Sequence, residues 1–420
     1  MHDRPPSDVR LPTAATSEVN SGSNVVLLSL SWLAAANTRW ALISVAPLLP
    51  LIAADLHLSG SAVGILFGLP VFLMGLMAIP GGALADRVGP TRTVALGLGL
   101  LAIGGGARAL TQDFSALLVA TLLVGLGSAV IQPALPRIVR LIMAARAGVG
   151  TAIYASGFTL GALIAAAISI PWLYPAFGDS WRMVLLFWAA LGGISLVAWL
   201  AWARVRAVPH ASDPHGRADG VGQPLRNPLL WLIAAIFLLQ TLIFYTLIAW
   251  IVPYFLELGS PLATATIPLA ALNFGSLLGG FSAPVATDYV RARRPVIIGA
   301  STVALIGCCG LLLWPLLMPA GWAALTGFGV AGVFTTSLAL PVDVAARQHV
   351  GAASGVVLSV GYGGAALGLP ASGALHDLTG GHAVTVAALT ALCGVMLISS
   401  LVLPETHPLR ARGGSSQSRV

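Results

Sequence analysis

The run from Asn24 to Leu56 sets the terms for the whole chain. Residues 25–36 are apolar apart from two serines, and residues 40–52 are apolar apart from one. Between them stands Asn37-Thr38-Arg39. Together they make one membrane-length helix with a cation close to its middle. An Arg at the centre of a bilayer is unfavourable by roughly 2.5–3.5 kcal/mol on insertion scales, so it has to face protein or water and find a partner. The partner is not an obvious acid, because no Asp or Glu lies at a comparable depth in any apolar run. Arg39 is therefore a candidate functional cation rather than half of a packing ion pair.

Similar apolar runs recur along the chain. Window hydropathy predicts twelve spans, near 25–53, 61–84, 92–110, 114–138, 148–173 and 182–203, then 229–256, 262–285, 295–317, 321–342, 352–374 and 382–403. Turn residues such as 57–60, 88–90, 178–180 and 259–261 separate them. Only 8% of residues are charged, against about a quarter in soluble proteins. The runs are continuous and not alternating, which excludes a β-barrel. The expected fold is an all-α membrane protein with twelve transmembrane helices in two six-helix bundles around a central cavity. The bundles cover 25–203 and 229–404, with a polar linker over 204–228 and tails at 1–24 and 405–420.

The net charge of +7 follows from how arginines are distributed around a membrane and does not call for nucleic acid. With both termini cytoplasmic, every Arg except Arg39, Arg108 and Arg182 falls on the inner side, while Asp55, Asp113, Asp179, Glu257 and Asp377 fall outside. This predicts a multi-pass protein of the cytoplasmic (inner) membrane. All 21 basic residues are Arg, so the Lys that a P-loop requires is missing. No G-x-S-x-G, H-E-x-x-H or EF-hand pattern occurs, which argues against an enzyme, and no cofactor or metal is expected. Cys308, Cys309 and Cys393 lie inside apolar runs and read as packing residues.

After the second span comes Gly82-Ala83-Leu84-Ala85-Asp86-Arg87-Val88-Gly89-Pro90-Thr91-Arg92. Gly82 and Gly89 permit a tight turn, and Asp86 can cap a helix or pair with an Arg, with Arg87 and Arg92 beside it. This stretch resembles the loop signature of the major facilitator superfamily. The resemblance implies a charge latch that stabilises the outward-facing state. A degraded copy follows at Gly280 to Val290, where Asp288 stands 202 residues after Asp86, as expected of two parallel halves. Further stretches resemble the cyanate/nitroimidazole transporter family of that superfamily: 37–39 with 47–50, 132–136, 179–182, 239–245 with Trp250 and Pro253, and 373–380. The resemblance implies transport of a small anionic or nitro-bearing solute. It also exposes a departure: many proton-coupled members carry an Arg in the fourth span four residues before a Gly, where this chain has Thr121 before Gly125.

Aligning the halves on Asp86 and Asp288 sets Arg39 opposite Thr241, beside Gln240. In this fold the first, fourth, seventh and tenth spans line the cavity, so Arg39, Gln132, Gln240 and Tyr245 are expected to converge. Asn37, Tyr154, Trp250 and Tyr362 are further candidates for the substrate site. Asp343, near the inner end of the tenth span, is the candidate for coupling to protons. The expected partners are a small anionic solute, protons and the lipid bilayer, and the expected state is a monomer. The competing functions are multidrug or metabolite efflux, a channel or sensor on the same fold, and a membrane enzyme. Asp86→Asn is expected to leave insertion and expression intact and to cut transport, because it removes a contact specific to one state. Uptake into sealed vesicles reads this, and normal transport by Asp86→Asn would reduce the loop to a topological marker.

Overall fold

The computed structural model describes residues 21–142, 147–205, 226–345 and 349–405. The two tails, most of the linker, Arg146 and Arg347 lie outside the described residues. Within them the chain is helical, with no strand. Eleven helices are long and apolar enough to cross a membrane, and a twelfth span is a pair of helices bent by 61°. The twelve spans predicted from hydropathy are thus present.

Prolines explain where spans break. The first span is α1 (Ser21–Ile43), a 3-10 turn at Ala46–Leu48, and α2 (Leu49–Asp55). Pro47 has no N–H for the carbonyl of Ile43, so α1 ends there. The second span is α3 (Gly60–Leu76) followed by α4 (Ala78–Val88). Pro80 likewise denies a partner to the carbonyl of Leu76, and the pair bends at Met77. The rest of the first half is α5 (Pro90–Leu110), α6 (Phe114–Ile142), α7 (Ala147–Ile168), a π turn at Ser169–Leu173 around Pro171, the short α8 (Tyr174–Ala176) and α9 (Trp181–Val205).

The second half consists of α10 (Pro228–Glu257), the short α11 (Leu262–Ala265), α12 (Ile267–Val290), α13 (Arg294–Leu313), α14 (Pro319–Val344), α15 (Val350–Thr379) and α16 (Ala383–Val402). In the first half α5 packs on α6 and α9, and α1 on α7. In the second α12 and α13 pack on α14, α13 on α16, and α10 on α15. The halves meet chiefly where α3 lies along α15 and α7 lies along α12. Cys308 and Cys393 sit with their sulfurs 3.5 Å apart between α13 and α16, as buried free thiols.

Lipid supplies no hydrophobic drive between helices, so close backbone approach has to come from small residues. The α3–α15 seam is built this way. A Cβ on Gly64 would come within 2.4 Å of the Leu369 carbonyl, one on Gly75 within 2.8 Å of the Gly363 nitrogen, and one on Gly373 within 2.1 Å of the Gly60 carbonyl. The α12–α14 seam is tighter still, with Gly275 against Ala324, Gly279 against Phe328 and Gly327 against Leu272, each leaving about 2 Å for a Cβ. Gly279→Ala should therefore lower the melting temperature in detergent by several degrees, since overpacking costs ~1–3 kcal/mol. Gly99→Ala, where the nearest neighbour atom is 3.9 Å away, should be neutral or slightly stabilising. Equal melting of the two variants would remove the backbone seam as a determinant of the second half.

Candidate functional site

Arg39 and Asn37 lie two residues apart on α1 and so point to opposite sides of it. Asn37 turns into the first half, where its Nδ2 donates to Ser195 Oγ at 2.7 Å and to the Leu33 carbonyl at 2.9 Å. Arg39 turns toward the second half. Its Nη1 donates to the Tyr245 hydroxyl of α10 at 2.8 Å. Its guanidinium also sits over the ring of Phe158, 5.3 Å from the centroid. Phe158 reaches it because its neighbours Gly157 and Gly161 let α7 press against Trp32 and Ala36 of α1.

A ring of aromatic side chains surrounds this contact. Tyr245 is buried, with its ring 6.5 Å from Phe67 of α3, 5.4 Å from Phe244 and 6.3 Å from Tyr362 of α15. The Tyr362 hydroxyl interacts with both Arg39 and Gln132 of α6. Phe237 closes the ring edge-on to Tyr362 at 5.8 Å. Arg39 is half-buried, and among the described residues no carboxylate pairs with it. A guanidinium has five N–H donors. Two phenolic oxygens leave several of them for a guest.

Of the four residues expected to converge, Arg39, Gln132 and Tyr245 come together, joined by Tyr362 from the further candidates. Tyr154 is one step removed, edge-on to Phe158 at 6.1 Å. Gln240 is buried and donates to its neighbour Thr241, which in turn bonds back to the Phe237 carbonyl. The partner of Arg39 thus stands one helical turn beyond the position given by the repeat alignment, a shift that a turn of α10 absorbs without changing face. Trp250 does not join the group. Its Nε1 donates to Ser372 Oγ at 2.8 Å, and its ring lies 5.0 Å from that of His382 at one end of the bundle. Phe67 and Phe158 were missed, since an aromatic in an apolar run carries no sign of which way it faces.

A second cation was also missed. Arg108 of α5 is 3% exposed, with Nε donating to Thr121 at 3.0 Å and Nη1 to the Ala41 carbonyl at 2.7 Å. It borders a small pocket behind α1 with Asn37, Ser44 and Trp188. At Thr121, the position that the sequence resemblance singled out as a departure, a guanidinium arrives from the adjacent helix. The sequence signal was Arg108 itself, one of three arginines left over after the inner loops were filled.

The loop signature forms a charge contact inside the first half. Arg137 of α6 meets Asp86 at 3.0 Å and also donates to the Pro133 carbonyl. Gly82 leaves room for that guanidinium, 3.5 Å from where its own Cβ would stand. Gly89 has φ +93°, which favours glycine, and caps α5. Arg87, Arg92 and Asp288 are exposed. In the second half the polarity is reversed, with Arg293 of the loop paired to Asp343 of α14 at 2.6 Å. Asp343 is thereby tied to the loop end of the bundle and not to the Arg39 group.

The opposite end is held shut across the halves. Asp377, on α15, accepts from the backbone N–H of Gly60 at 2.7 Å, from that of Ser61 at 2.9 Å, and from the Ser61 hydroxyl. These are the first residues of α3, so a carboxylate of one half caps a helix of the other. Nearer the middle, Ser359 Oγ donates to the Gly75 carbonyl at 3.1 Å. At the same end Arg182 clamps the first span to the sixth, pairing with Asp55 at 2.8 Å and stacking on Trp181.

A model of the Major Facilitator Superfamily matches residues 28–324 and 274–419 of this chain. The chain belongs to that superfamily. It is a multi-pass membrane transporter and not an enzyme. It is 29% identical over 379 residues to the cyanate transport protein CynX of Escherichia coli (strain K12), covering 89% of this chain and 96% of the relative. It is 27% identical over 393 residues to the 2-nitroimidazole transporter of the same organism, covering 93% and 98%. Its fold is similar to that of the nucleoside transporter NupG, with a TM-score of 0.70 at 14% identity over 91% of this chain and 98% of that one.

The Asp377 clasp yields a direct test. Asp377→Ala should raise hydrogen exchange at residues 60–62 and increase labelling of a cysteine introduced at position 61, while the midpoint of thermal unfolding moves little. Unchanged exchange and labelling would show that the glycine seam alone closes this end.

Proposed function

We propose that this transporter carries a small monoanion or nitro-bearing solute by alternating access, with Arg39 as the cation that receives it. The observation that carries this reading is the half-buried guanidinium at the junction of the two halves, with no carboxylate beside it among the described residues and donors to spare. A guanidinium grips a planar or bent anion through two parallel hydrogen bonds. The Tyr245, Tyr362 and Gln132 side chains offer neutral hydrogen bonds around the guest, and Phe67 and Phe158 offer flat apolar walls. The names of the relatives, a cyanate and a 2-nitroimidazole transporter, support the same class of solute. The aromatic ring also supports the neighbouring reading, efflux of a weakly acidic aromatic compound through the same site.

The distribution of arginines supports insertion in the cytoplasmic membrane with both termini inside. Import of a monoanion alone against an inside-negative potential costs about 2.3 kcal/mol per 100 mV. Transport is therefore either facilitated or accompanied by a proton, and uptake with and without a pH gradient tells these apart.

Arg39→Lys should keep the fold and weaken binding of a nitroheterocycle or cyanate by roughly tenfold or more, as expected for loss of one charge-assisted hydrogen bond at ~1.5–3 kcal/mol. Arg39→Ala should abolish specific binding without loss of thermal stability, because a cation that is costly in the membrane has gone. Melting temperature and ligand affinity measured together decide the matter. Lost stability with retained affinity would make Arg39 a structural residue.

A further inference from the structure

The carboxylate of Glu257 and the imidazoles of His376 and His382 meet at the end of the bundle opposite the Asp86 loop. They come from three elements: the last residue of α10, the last turn of α15 and the residue before α16. One ligand atom from each lies within 4.8 Å of the other two. His376 Nδ1 is 3.6 Å from Glu257 Oε1, and His382 Nδ1 is in short contact with the same oxygen. The two rings stack with centroids 4.0 Å apart. His382 is 4% exposed. Neither His376 Nδ1 nor His382 Nε2, both buried, has a hydrogen-bond partner.

We propose that Glu257, His376 and His382 form a binding site for one divalent transition-metal ion of the zinc class. Two imidazoles and a carboxylate are a three-ligand set that suits such an ion, with water in the fourth position. Tetrahedral coordination at ~2.0–2.1 Å sets ligand atoms roughly 3.3 Å apart. The 3.6 Å separation of His376 Nδ1 from Glu257 Oε1 is near that value.

The surroundings are those of a supported metal site. The backbone N–H of His382 donates to Glu257 Oε2 at 2.8 Å, which fixes the carboxylate and leaves Oε1 for the ion. Trp250, itself held by Ser372, stacks on His376 at 6.3 Å and lies tilted against His382 at 5.0 Å, shielding them on one side. Glu257 is exposed and provides a path of entry from the aqueous phase. An ion here would tie together the ends of α10, α15 and α16, next to the residue that clasps α3.

The test uses tag-free, full-length transporter in detergent, titrated with Co2+ and then Zn2+. The expected result is one Co2+ per chain with the visible absorption of a tetrahedral ion, displaced by Zn2+. His376→Ala and Glu257→Gln should each weaken binding by roughly a hundredfold. His57→Ala, an exposed histidine elsewhere, should bind as the unaltered chain does. Glu257→Gln keeps the shape of the side chain and carries the test if His376→Ala fails to fold. Absence of saturable binding, or binding that Glu257→Gln leaves unchanged, would overturn the proposal and leave the cluster as a hydrogen-bonded group.

Discussion

The structure turns on the charge of Arg39, which no carboxylate matches among the described residues. A guanidinium near the middle of a bilayer has to be received by protein, and here it is received by a phenol of the other half and by the face of a phenylalanine. Neither carries a compensating charge. The first half therefore brings a cation to the junction, the second half brings hydroxyls, and neither completes the site without the other. The glycines of α3, α7 and α15 serve this arrangement, because they let α7 and α15 come close enough for Phe158 and Tyr362 to reach Arg39.

Most of the fold was legible from hydropathy because lipid imposes a simple rule: each backbone polar group must be satisfied within its own helix. The length of each apolar run then gives a span almost directly. The breaks were less legible. Pro80 ends α3, although Pro70, deeper in the same span, leaves α3 continuous. Both lack an N–H, so the residue type alone does not tell a break from a tolerated proline.

The site was legible in part, for the same reason. Arg39 stood out because charge in lipid is unfavourable, and Tyr245 stood out as a polar group on the matching helix. Trp250 had the same credentials and faces the end of the bundle, held by Ser372 and two imidazoles. Asn37 looked like a companion of Arg39 because it is close in sequence, yet helical geometry puts it on the far side of α1, where it serves Ser195. Arg137, the partner of Asp86, was visible only as one more inner-loop arginine until the fold set it beside Gly82.

Charge counting assigns every carboxylate a cationic side chain or none. Asp377 belongs to a third class. What it faces is the exposed amides at the start of α3, whose combined dipole acts as a fraction of a positive charge. The positive pole of this closure is thus spelled by the direction of a helix and not by any residue type. Any non-proline residue at position 61 would present the same amide, and only the added bond from the Ser61 hydroxyl depends on the residue that stands there. Asp377, by contrast, supplies every acceptor of the contact from one side chain.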